Sequence, residues 1–457
     1  MFTRRNISVS VIDSIENFSD NESRVKIINI VGALAKLYWK VKAAYVGGGF
    51  STAIANHMYS RTNAAAIADA RDGMSVEQHG DRSYLIRFPF VNVAAFDTDD
   101  GLVLVDAGFA PAGPALLEAC TSISSKPVHT IILSHFHCDH AFGAWALFKA
   151  GHRPEIVATT EFAQELQADL DTWGLNSRYT NQNPNDVPHD WDIAFTPTVT
   201  YSGSMSLDIG GVRFDLTHGR GETADQQWVW VPGERAIVSA DYYQPFLPNA
   251  GNGKRRQRHI RDWAAALRAM ADCQPLVSLP MHGAALGELD SQDRFRAHAD
   301  ILDSIVGQVL TGLNAGTRGS DIVETVVMPA EHAGRDDVAE TYSTVRDIAK
   351  MVVNQYTGWW DDIPSHWAPA SVEAEAVEIA RLAGGADRLV DRALELIDSD
   401  VRLACQLADW AYFAQPGSER IRSDASRVYI ARIISDETPT QEALVYLDHL
   451  AELELGS

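Results

Sequence analysis

The sequence predicts an α/β catalytic region that is preceded by a helical extension and followed by an all-helical region. Short apolar β-type runs, separated by Asp and Gly turns, begin at Val76. A dense cluster of histidines follows one of these runs directly, and from about Arg294 apolar residues recur at helical spacing. We therefore expect a helical extension over 1–75, a catalytic domain over 76–345 and a helical domain over 346–457.

Length and composition describe a folded protein with a strongly acidic surface. The chain has 457 residues, of which 46% are hydrophobic and 22% are charged, and this length favours two domains over one. A formal charge of −23 argues against a nucleic-acid partner, because such affinity depends on Lys and Arg that neutralise phosphates. This net charge remains compatible with a small anionic substrate where a local basic pocket exists.

The N-terminus and the cysteines predict a cytoplasmic protein. The polar start of the chain contains no apolar run typical of a secretory signal. Three lysines interrupt the apolar stretch 27–49, which predicts an amphipathic helix and no transmembrane segment. The cysteines are widely spaced without a CxxC pair, which favours a reducing compartment: Cys120, Cys138, Cys273 and Cys405.

The β-type apolar runs that begin at Val76 predict the elements of the catalytic region in chain order. Helices are predicted at 114–120 and 161–170, and the polar stretch 174–192 is predicted to be a long loop that walls the substrate site. The strand at 129–134 is apolar throughout, as expected for a strand buried on both faces. The predicted strands are 83–88, 90–98, 102–108, 129–134, 154–160, 212–218, 226–231, 236–241 and 276–282.

The chemistry is concentrated in a His-rich segment that begins where the strand 129–134 ends. Its pattern HxHxDH places three imidazoles and one carboxylate within six residues. In a loop leaving a strand, His135 and His137 can point to one metal while Asp139 and His140 reach a second. These ligands suit zinc, and also iron or manganese. The alternative is a solvated His-rich turn.

HxHxDH after a strand resembles the metallo-β-lactamase superfamily, whose fold is an αββα sandwich with two metals at one edge of its sheets. The resemblance implies that the remaining ligands are Glu222, Asp241 and His282. One metal would then be held by His135, His137 and Glu222, the other by Asp139, His140 and His282, and Asp241 would bridge the two metals.

Glu222 narrows the resemblance to the alkylsulfatase branch, because most of the superfamily has His at this position. Asp241 follows 19 residues later after a VPGERA turn, as in that branch, although the branch has Glu there. His218 is the competing ligand at this position, and both alternatives stay open. Asp106 fits a position that orients a ligand histidine, or it is a plain turn residue.

A basic loop follows Asp241 and reverses the local charge. Guanidinium groups match tetrahedral oxyanions such as sulfate or phosphate. The alkylsulfatase resemblance implies an anion site made by Asn249, Lys254, Arg255 and Arg261. The alternative is a solvated loop that pairs with nearby acids. The basic residues of this loop are Lys254, Arg255, Arg256, Arg258, His259 and Arg261.

The segments 313–329 and 355–369 resemble the entry to the alkylsulfatase dimerisation domain, which is helical and implies a homodimer. We expect Trp359, Trp360 and Trp367 to be core or interface residues. Longer alkylsulfatases carry a sterol-carrier-like C-terminal domain for long-chain substrates, and we expect this chain to lack it. Smaller or more polar esters are then better substrates than detergent-like alkyl sulfates.

The resulting hypothesis is a two-metal hydrolase that cleaves a sulfate ester with a metal-activated water. Its cofactors would be two divalent ions, with zinc preferred, and its catalytic carboxylates Asp139 and Asp241. The alternatives are hydrolysis of another ester, lactone, thioester or phosphate-type bond, di-iron redox chemistry, and a non-catalytic dimeric anion-binding protein.

Overall fold

A computed structural model describes residues 63–180 and 190–455, which form two compact units that divide between Trp359 and Trp360. Most of the predicted extension 1–75 lies outside the described residues. Its described part contains helix α1 (Asn63–Asp72), in agreement with the expected helix.

The first sheet of the larger unit has seven strands in sequential order. Strands β1 to β4 are antiparallel neighbours, whereas β4 to β7 run parallel to one another. The strands are β1 (Ser75–Gln78), β2 (Ser83–Arg87), β3 (Asn92–Thr98), β4 (Gly101–Val105), β5 (Val128–Ile132), β6 (Glu155–Thr159) and β7 (Val199–Tyr201).

The second sheet has six strands in the order β13-β12-β11-β10-β9-β8, and only the β11–β12 pair is parallel. The sequence had not indicated β7, β8 or β13 as separate strands, since these are short or mixed in polarity. The strands are β8 (Ser204–Ile209), β9 (Val212–His218), β10 (Gln227–Val231), β11 (Ala236–Val238), β12 (Val277–Leu279) and β13 (Leu286–Gly287).

The two sheets lie face to face, because successive side chains of one strand enter different cores. Leu85 belongs to a cluster shared by both sheets, whereas its neighbour Ile86 packs in the cluster under the helices of the first sheet. On the second sheet, Val238 faces the shared cluster and Ile237 the helical side. Each such burial stabilises the fold by about 1.5–3 kcal/mol. The layers are therefore helix, sheet, sheet, helix, as the αββα prediction requires.

The outer layers of this unit are helical. Helix α7 packs on the second sheet through Trp263, which is fully buried. The polar stretch predicted to be a loop instead begins with helix α6, and residues 181–189 of that stretch lie outside the described residues. The helices are α2 (Gly113–Ile123), α3 (Cys138–Ala141), α4 (Ala144–Lys149), α5 (Phe162–Asp171), α6 (Trp173–Thr180), α7 (Ile260–Asp272), α8 (Glu288–Asn314), α9 (Gly319–Thr325) and α10 (Val345–Thr357).

Helix α10 lies close to the predicted boundary at residue 345. Thr344 and Asp347 form a capping box at its first turn, in which each side chain accepts a hydrogen bond from the other's backbone N–H. Its apolar face, including Ile348 and Val352, packs in the helical core of the larger unit. The domain boundary at 345 stays a prediction. Helix α10 itself packs with the residues that precede it in the larger unit.

The second unit, described from Trp360 to residue 455, is helical as predicted. Ser371, Asp400 and Ser418 cap the N-termini of three of its helices. In the described part of the chain no helix combines the length and apolar character that a membrane crossing needs. The helices are α11 (Val372–Ala383), α12 (Ala386–Leu396), α13 (Val401–Ala414), α14 (Glu419–Ile434) and α15 (Thr440–Leu455).

Candidate metal centre

The candidate ligands come together because each follows the carboxyl end of a strand. The turns after β4, β5, β9, β11 and β12 open at the same edge of the two packed sheets. Burial is nearly complete, and only the side chains of His137 and Asp139 keep 12% and 25% of their surface exposed. The residues placed there are Asp106, His135, His137, Asp139, His140, Glu222, Asp241 and His282.

His135, His137 and Glu222 form one group of converging polar atoms. His135 Nε2 lies 2.9 Å from His137 Nδ1. His137 Nδ1 lies 3.8 Å from Glu222 Oε1. Ser134 Oγ is 3.0 Å from His135 Nδ1, which leaves His135 Nε2 directed into the site. The predicted first ligand group is therefore brought together in space.

Asp139, His140 and His282 form the second group. Asp139 Oδ2 lies 3.6 Å from His140 Nε2 and 3.8 Å from His282 Nε2. These atoms are near enough to ligate a single cation. His140 and Asp139 lie on the short helix α3, whereas His282 comes from the turn after β12.

Asp241 lies between the two groups. Its Oδ1 is 3.4 Å from His140 Nε2 and 3.3 Å from His282 Nε2, while its Oδ2 is 4.0 Å from His135 Nε2. The preceding residue, Ala240, has φ +46°, which is a strained conformation for a residue with a side chain. A carboxylate with one oxygen toward each group is arranged to bridge two cations.

Asp106 is hydrogen-bonded to the segment that carries the candidate histidine ligands. Its Oδ1 accepts a hydrogen bond from Ser134 N (2.7 Å), and its Oδ2 accepts from Ser134 Oγ (2.8 Å) and His140 Nδ1 (2.8 Å). Because Nδ1 of His140 is held by Asp106, Nε2 is the ring nitrogen that faces the site. Asp106 therefore orients a ligand histidine and is more than a turn residue.

Two buried amides, which the sequence analysis had not identified, fix the loops of the site. Asn92 Nδ2 donates to Pro280 O and Gly283 O, each at 2.8 Å, and so braces the turn that carries His282. His282 Nδ1 donates to the carbonyl of Phe90 at 2.6 Å. Gln227 Nε2 donates to Leu133 O at 2.8 Å and ties the second sheet to the first. Nothing in the local sequence around these amides signals such contacts.

The protonation of the site follows from burial and neighbouring charges. Burial lowers the pKa of His135 and of His137 well below the ordinary value, which keeps both imidazoles neutral. The next largest cause is His140 for His135, and His135 for His137. Burial alone would raise the pKa of Asp241, but His282 and His140 hold it well below its ordinary range. Burial raises the pKa of Glu222 to about 8, against the opposing effect of Arg258.

The donor set fits divalent cations. His140 Nε2, Asp241 Oδ1 and Glu222 Oε2 are buried and make no hydrogen bond to any described residue. Buried polar atoms without partners are costly in a protein interior. Neutral imidazole nitrogens and carboxylate oxygens are ligands that zinc, iron and manganese accept. Cations at this site would neutralise the negative charge of the converging carboxylates.

His218, the competing candidate, is directed elsewhere. Its Nε2 is 2.7 Å from the carbonyl of Ala224, and its Nδ1 lies 3.8 Å from Glu161 Oε2. Neither ring nitrogen is paired with the His135 group. The geometry therefore favours Glu222 over His218 as the ligand after β9.

The basic loop contributes a buried arginine that the sequence analysis had not selected. Arg258 Nη2 lies 2.8 Å from Glu222 Oε1, and Arg258 Nη1 donates to the backbone carbonyl of Glu222. Asn249, a predicted substrate residue, donates from Nδ2 to the same Oε1 at 3.0 Å. Arg258 and Asn249 are buried, which places this part of the loop against the candidate ligands.

The other basic residues of the loop have different surroundings. Arg255 is near enough to lower the pKa of His137, after burial and His135. Lys254 Nζ lies 5.8 Å from the ring centre of Tyr179. Arg261 is exposed on the first turn of α7, and Arg256 pairs with Glu165 at 3.1 Å. The loop therefore combines buried and solvated parts.

Comparison with known families agrees with this geometry. Residues 86–282 match the metallo-beta-lactamase superfamily, and residues 318–456 match the alkyl sulfatase dimerisation family. The domain over residues 86–282 therefore belongs to the metallo-beta-lactamase superfamily. The succession of the two domains confirms the predicted alkylsulfatase-like branch and the predicted fold class. Membership in this superfamily implies that the chain binds divalent metal.

Several relatives of the chain are alkylsulfatases. The chain is 26% identical over 358 residues to a linear primary-alkylsulfatase of Pseudomonas sp., with 72% of this chain and 66% of the relative covered. It is 23% identical to an alkyl/aryl-sulfatase of Saccharomyces cerevisiae, with 75% and 58% covered. The chain thus spans two thirds or less of the length of these relatives.

A solved structure shares the fold. The stereoselective inverting sec-alkylsulfatase Pisa1 from Pseudomonas sp. superposes with a TM-score of 0.76 at 19% sequence identity. The match covers 90% of this chain and 70% of that protein. At this identity the likeness establishes the architecture.

Proposed function

We propose that the chain is a metal-dependent hydrolase that cleaves a sulfate ester. The observation that carries the proposal is the convergence of imidazole and carboxylate ligands on two adjacent positions beside a basic loop whose Arg258 is buried. The similarity to alkylsulfatases supports the same reaction class. Small or medium-sized anionic esters are the proposed substrates.

The proposed cofactors are two divalent cations, with zinc preferred and iron or manganese as alternatives. His135, His137 and Glu222 would hold one cation, and Asp241 would bridge. Asp139, His140 and His282 would hold the other cation. When bound, such cations supply Lewis acidity, which promotes ionisation of a water near neutral pH and stabilises negative charge on a substrate oxygen.

The protein's own groups position the reactants. Asp139 has the most exposed side chain of the proposed ligands, so its carboxylate faces the side from which water enters. We assign Asp139 and Asp241 the catalytic role of orienting that water. Deep burial of the remaining ligands lowers the local dielectric, which strengthens every electrostatic interaction in the site.

The anionic end of the substrate would bind at the basic loop. The proposed contacts are Asn249, Lys254, Arg255 and Arg261. Two of them are nearest to the candidate ligands: Asn249 donates a hydrogen bond to Glu222, and Arg255 lowers the pKa of His137. Guanidinium and amide donors match the oxygens of a sulfate group. Arg256 is committed to its ion pair with Glu165 and takes no part in this proposal.

Location and assembly are proposed on separate grounds. All four cysteines lie in the described part of the chain and none forms a disulfide, which supports a reducing compartment such as the cytoplasm. The dimerisation family match over residues 318–456 supports a homodimer.

The test is sulfate release by metal-loaded protein from short and medium alkyl sulfates, with the corresponding alkyl phosphates as a parallel series. We expect sulfate release that Asp241→Asn reduces by about 100-fold or more, since the bridging negative charge is lost. Asp208→Asn, which alters an exposed carboxylate on β8, is the matched control and should keep full activity.

Metal content of each preparation decides what a negative result means. If two metal equivalents are bound and no sulfate ester is cleaved, the proposed reaction is wrong. Cleavage of the phosphate series alone would assign a phosphate-type hydrolase, whereas anion binding without turnover would assign a binding protein. Iron with reversible reduction would support the redox alternative.

A further inference from the structure

Arg258 is an unusual residue for the interior of a protein. Its side chain is only 2% exposed, and a buried guanidinium must be paired to offset its desolvation. Both of its terminal nitrogens lie against one residue: Nη1 donates to the Glu222 carbonyl, and Nη2 forms an ion pair with Glu222 Oε1 at 2.8 Å without the alignment of a hydrogen bond. The fork therefore holds the main chain and the side chain of Glu222 at once.

The remaining groups of Glu222 are held as well. Asn249 Nδ2 donates to Oε1 at 3.0 Å, and the backbone N–H of Glu222 donates to Gln226 Oε1 at 2.5 Å. Oε2 is buried and makes no hydrogen bond to a described residue. The carboxylate thus has one oxygen committed to Arg258 and Asn249 and one oxygen left for another partner.

We propose that Arg258 is a positioning residue that presents Glu222 to the metal through Oε2 alone. The inference rests on the proposed assignment of Glu222 as a ligand. It adds that the ligand geometry depends on an arginine 36 residues further along the chain. Lysine cannot replace it, because one ammonium group cannot contact the carboxylate and the carbonyl in the geometry of a planar fork.

The direct contacts of Arg258 lie at one of the two metal positions, although its charge also interacts with Asp241, the proposed bridge. Arg258 contacts Glu222, which belongs with His135 and His137, and it has no contact in the described structure with Asp139 or His282. Loss of a residue that orients a metal ligand lowers metal affinity by about 10–100-fold. The second position therefore serves as an internal reference within the same protein.

The experiment measures binding of Zn²⁺ and Co²⁺ to the full-length chain by calorimetry and metal analysis, with the Co²⁺ absorption spectrum as a second readout. For Arg258→Met and Arg258→Lys we expect one equivalent to bind with unchanged affinity and the other to weaken by about 10–100-fold. Arg256→Met, which alters an exposed neighbour, should bind both equivalents as the parent protein does.

Three outcomes would overturn the proposal. Unchanged or tighter binding of both equivalents by Arg258→Met would show that the guanidinium does not position the ligand. Weakening of both equivalents together with a lower thermal transition would show a general folding role. If Glu222→Gln keeps both equivalents at full affinity, the ligand assignment itself fails, which separates that error from an error about Arg258.

Discussion

Asp106 illustrates how single residues determine the chemistry of this site. It has φ +65°, in the left-handed region that Asp and Asn tolerate better than most residues. This turn brings its carboxylate within 2.8 Å of both Ser134 Oγ and His140 Nδ1. The conformation of one turn residue therefore sets which nitrogen of His140 faces the site.

We predict that Asp106→Asn lowers metal affinity by about 10–100-fold with little change in fold. Asn keeps the backbone conformation and an oxygen for Ser134 N. The amide nitrogen that takes the place of Oδ2 can only donate, so it cannot accept the proton of His140 Nδ1. The imidazole then favours the tautomer that is protonated on Nε2. Metal titration of the variant measures this loss.

The control for this prediction is Asp208→Asn, in which an exposed strand carboxylate is changed in the same way. Circular dichroism should show the same thermal transition for both variants to within a few degrees. Equal metal affinity in Asp106→Asn and the parent protein would contradict the proposed tautomer control.

Helix α10 supports the basic loop at the scale of secondary-structure elements. Gly251 approaches the start of the helix so closely that a Cβ at this position would lie 2.4 Å from the backbone of Asp347 and Ile348. Gln257 Nε2 donates to Met351 O at 3.3 Å, which fixes the loop further along the helix. The loop that carries Asn249 and Arg258 is therefore shaped by a helix far away in sequence.

We predict that Gly251→Ala destabilises the protein by about 1–3 kcal/mol, because the added methyl group must displace either the helix or the loop. Gly253→Ala is the matched control in the same loop, since a Cβ there meets no atom within 4 Å. Its effect should stay within about 0.5 kcal/mol. Thermal unfolding of both variants compares them directly, and equal stability of the two would refute the packing argument.

Charge and assembly belong to the scale of the whole molecule. A chain of net charge −23 repels a second copy of itself. Its helical unit nevertheless exposes large apolar side chains, including Leu382 at 75%, Val377 at 52% and Leu403 at 40%. Burial of apolar surface in a homodimer would outweigh this repulsion.

We predict that the full-length chain sediments at twice the mass of one chain and that salt strengthens the association. Raising the ionic strength from about 0.01 M to about 0.1 M shortens the screening length from about 30 Å to about 10 Å, which weakens the repulsion. Sedimentation velocity over a range of protein concentrations measures the dissociation constant. A monomer at all concentrations, or a dimer that salt dissociates, would contradict an apolar interface.

Local sequence predicted most strands and helices and the centre of the candidate site, whereas the αββα fold class required a resemblance. Strand-length apolar runs and helical spacing predicted most elements, because backbone periodicity is visible within a few residues. The HxHxDH segment identified His135, His137, Asp139 and His140 for the same reason. Glu222, Asp241 and His282 required a resemblance, since single acids or histidines after strands carry no local signal.

Only the tertiary structure decided which distant residues meet. It directed His218 to a backbone carbonyl, brought Glu222 to His137, and selected Arg258 from a loop of several cations. Those outcomes depend on strand order and on close packing, which couple residues tens of positions apart. Sequence determined what each segment can form and what its side chains can bind, and the packing of the two sheets determined which of those side chains share a site.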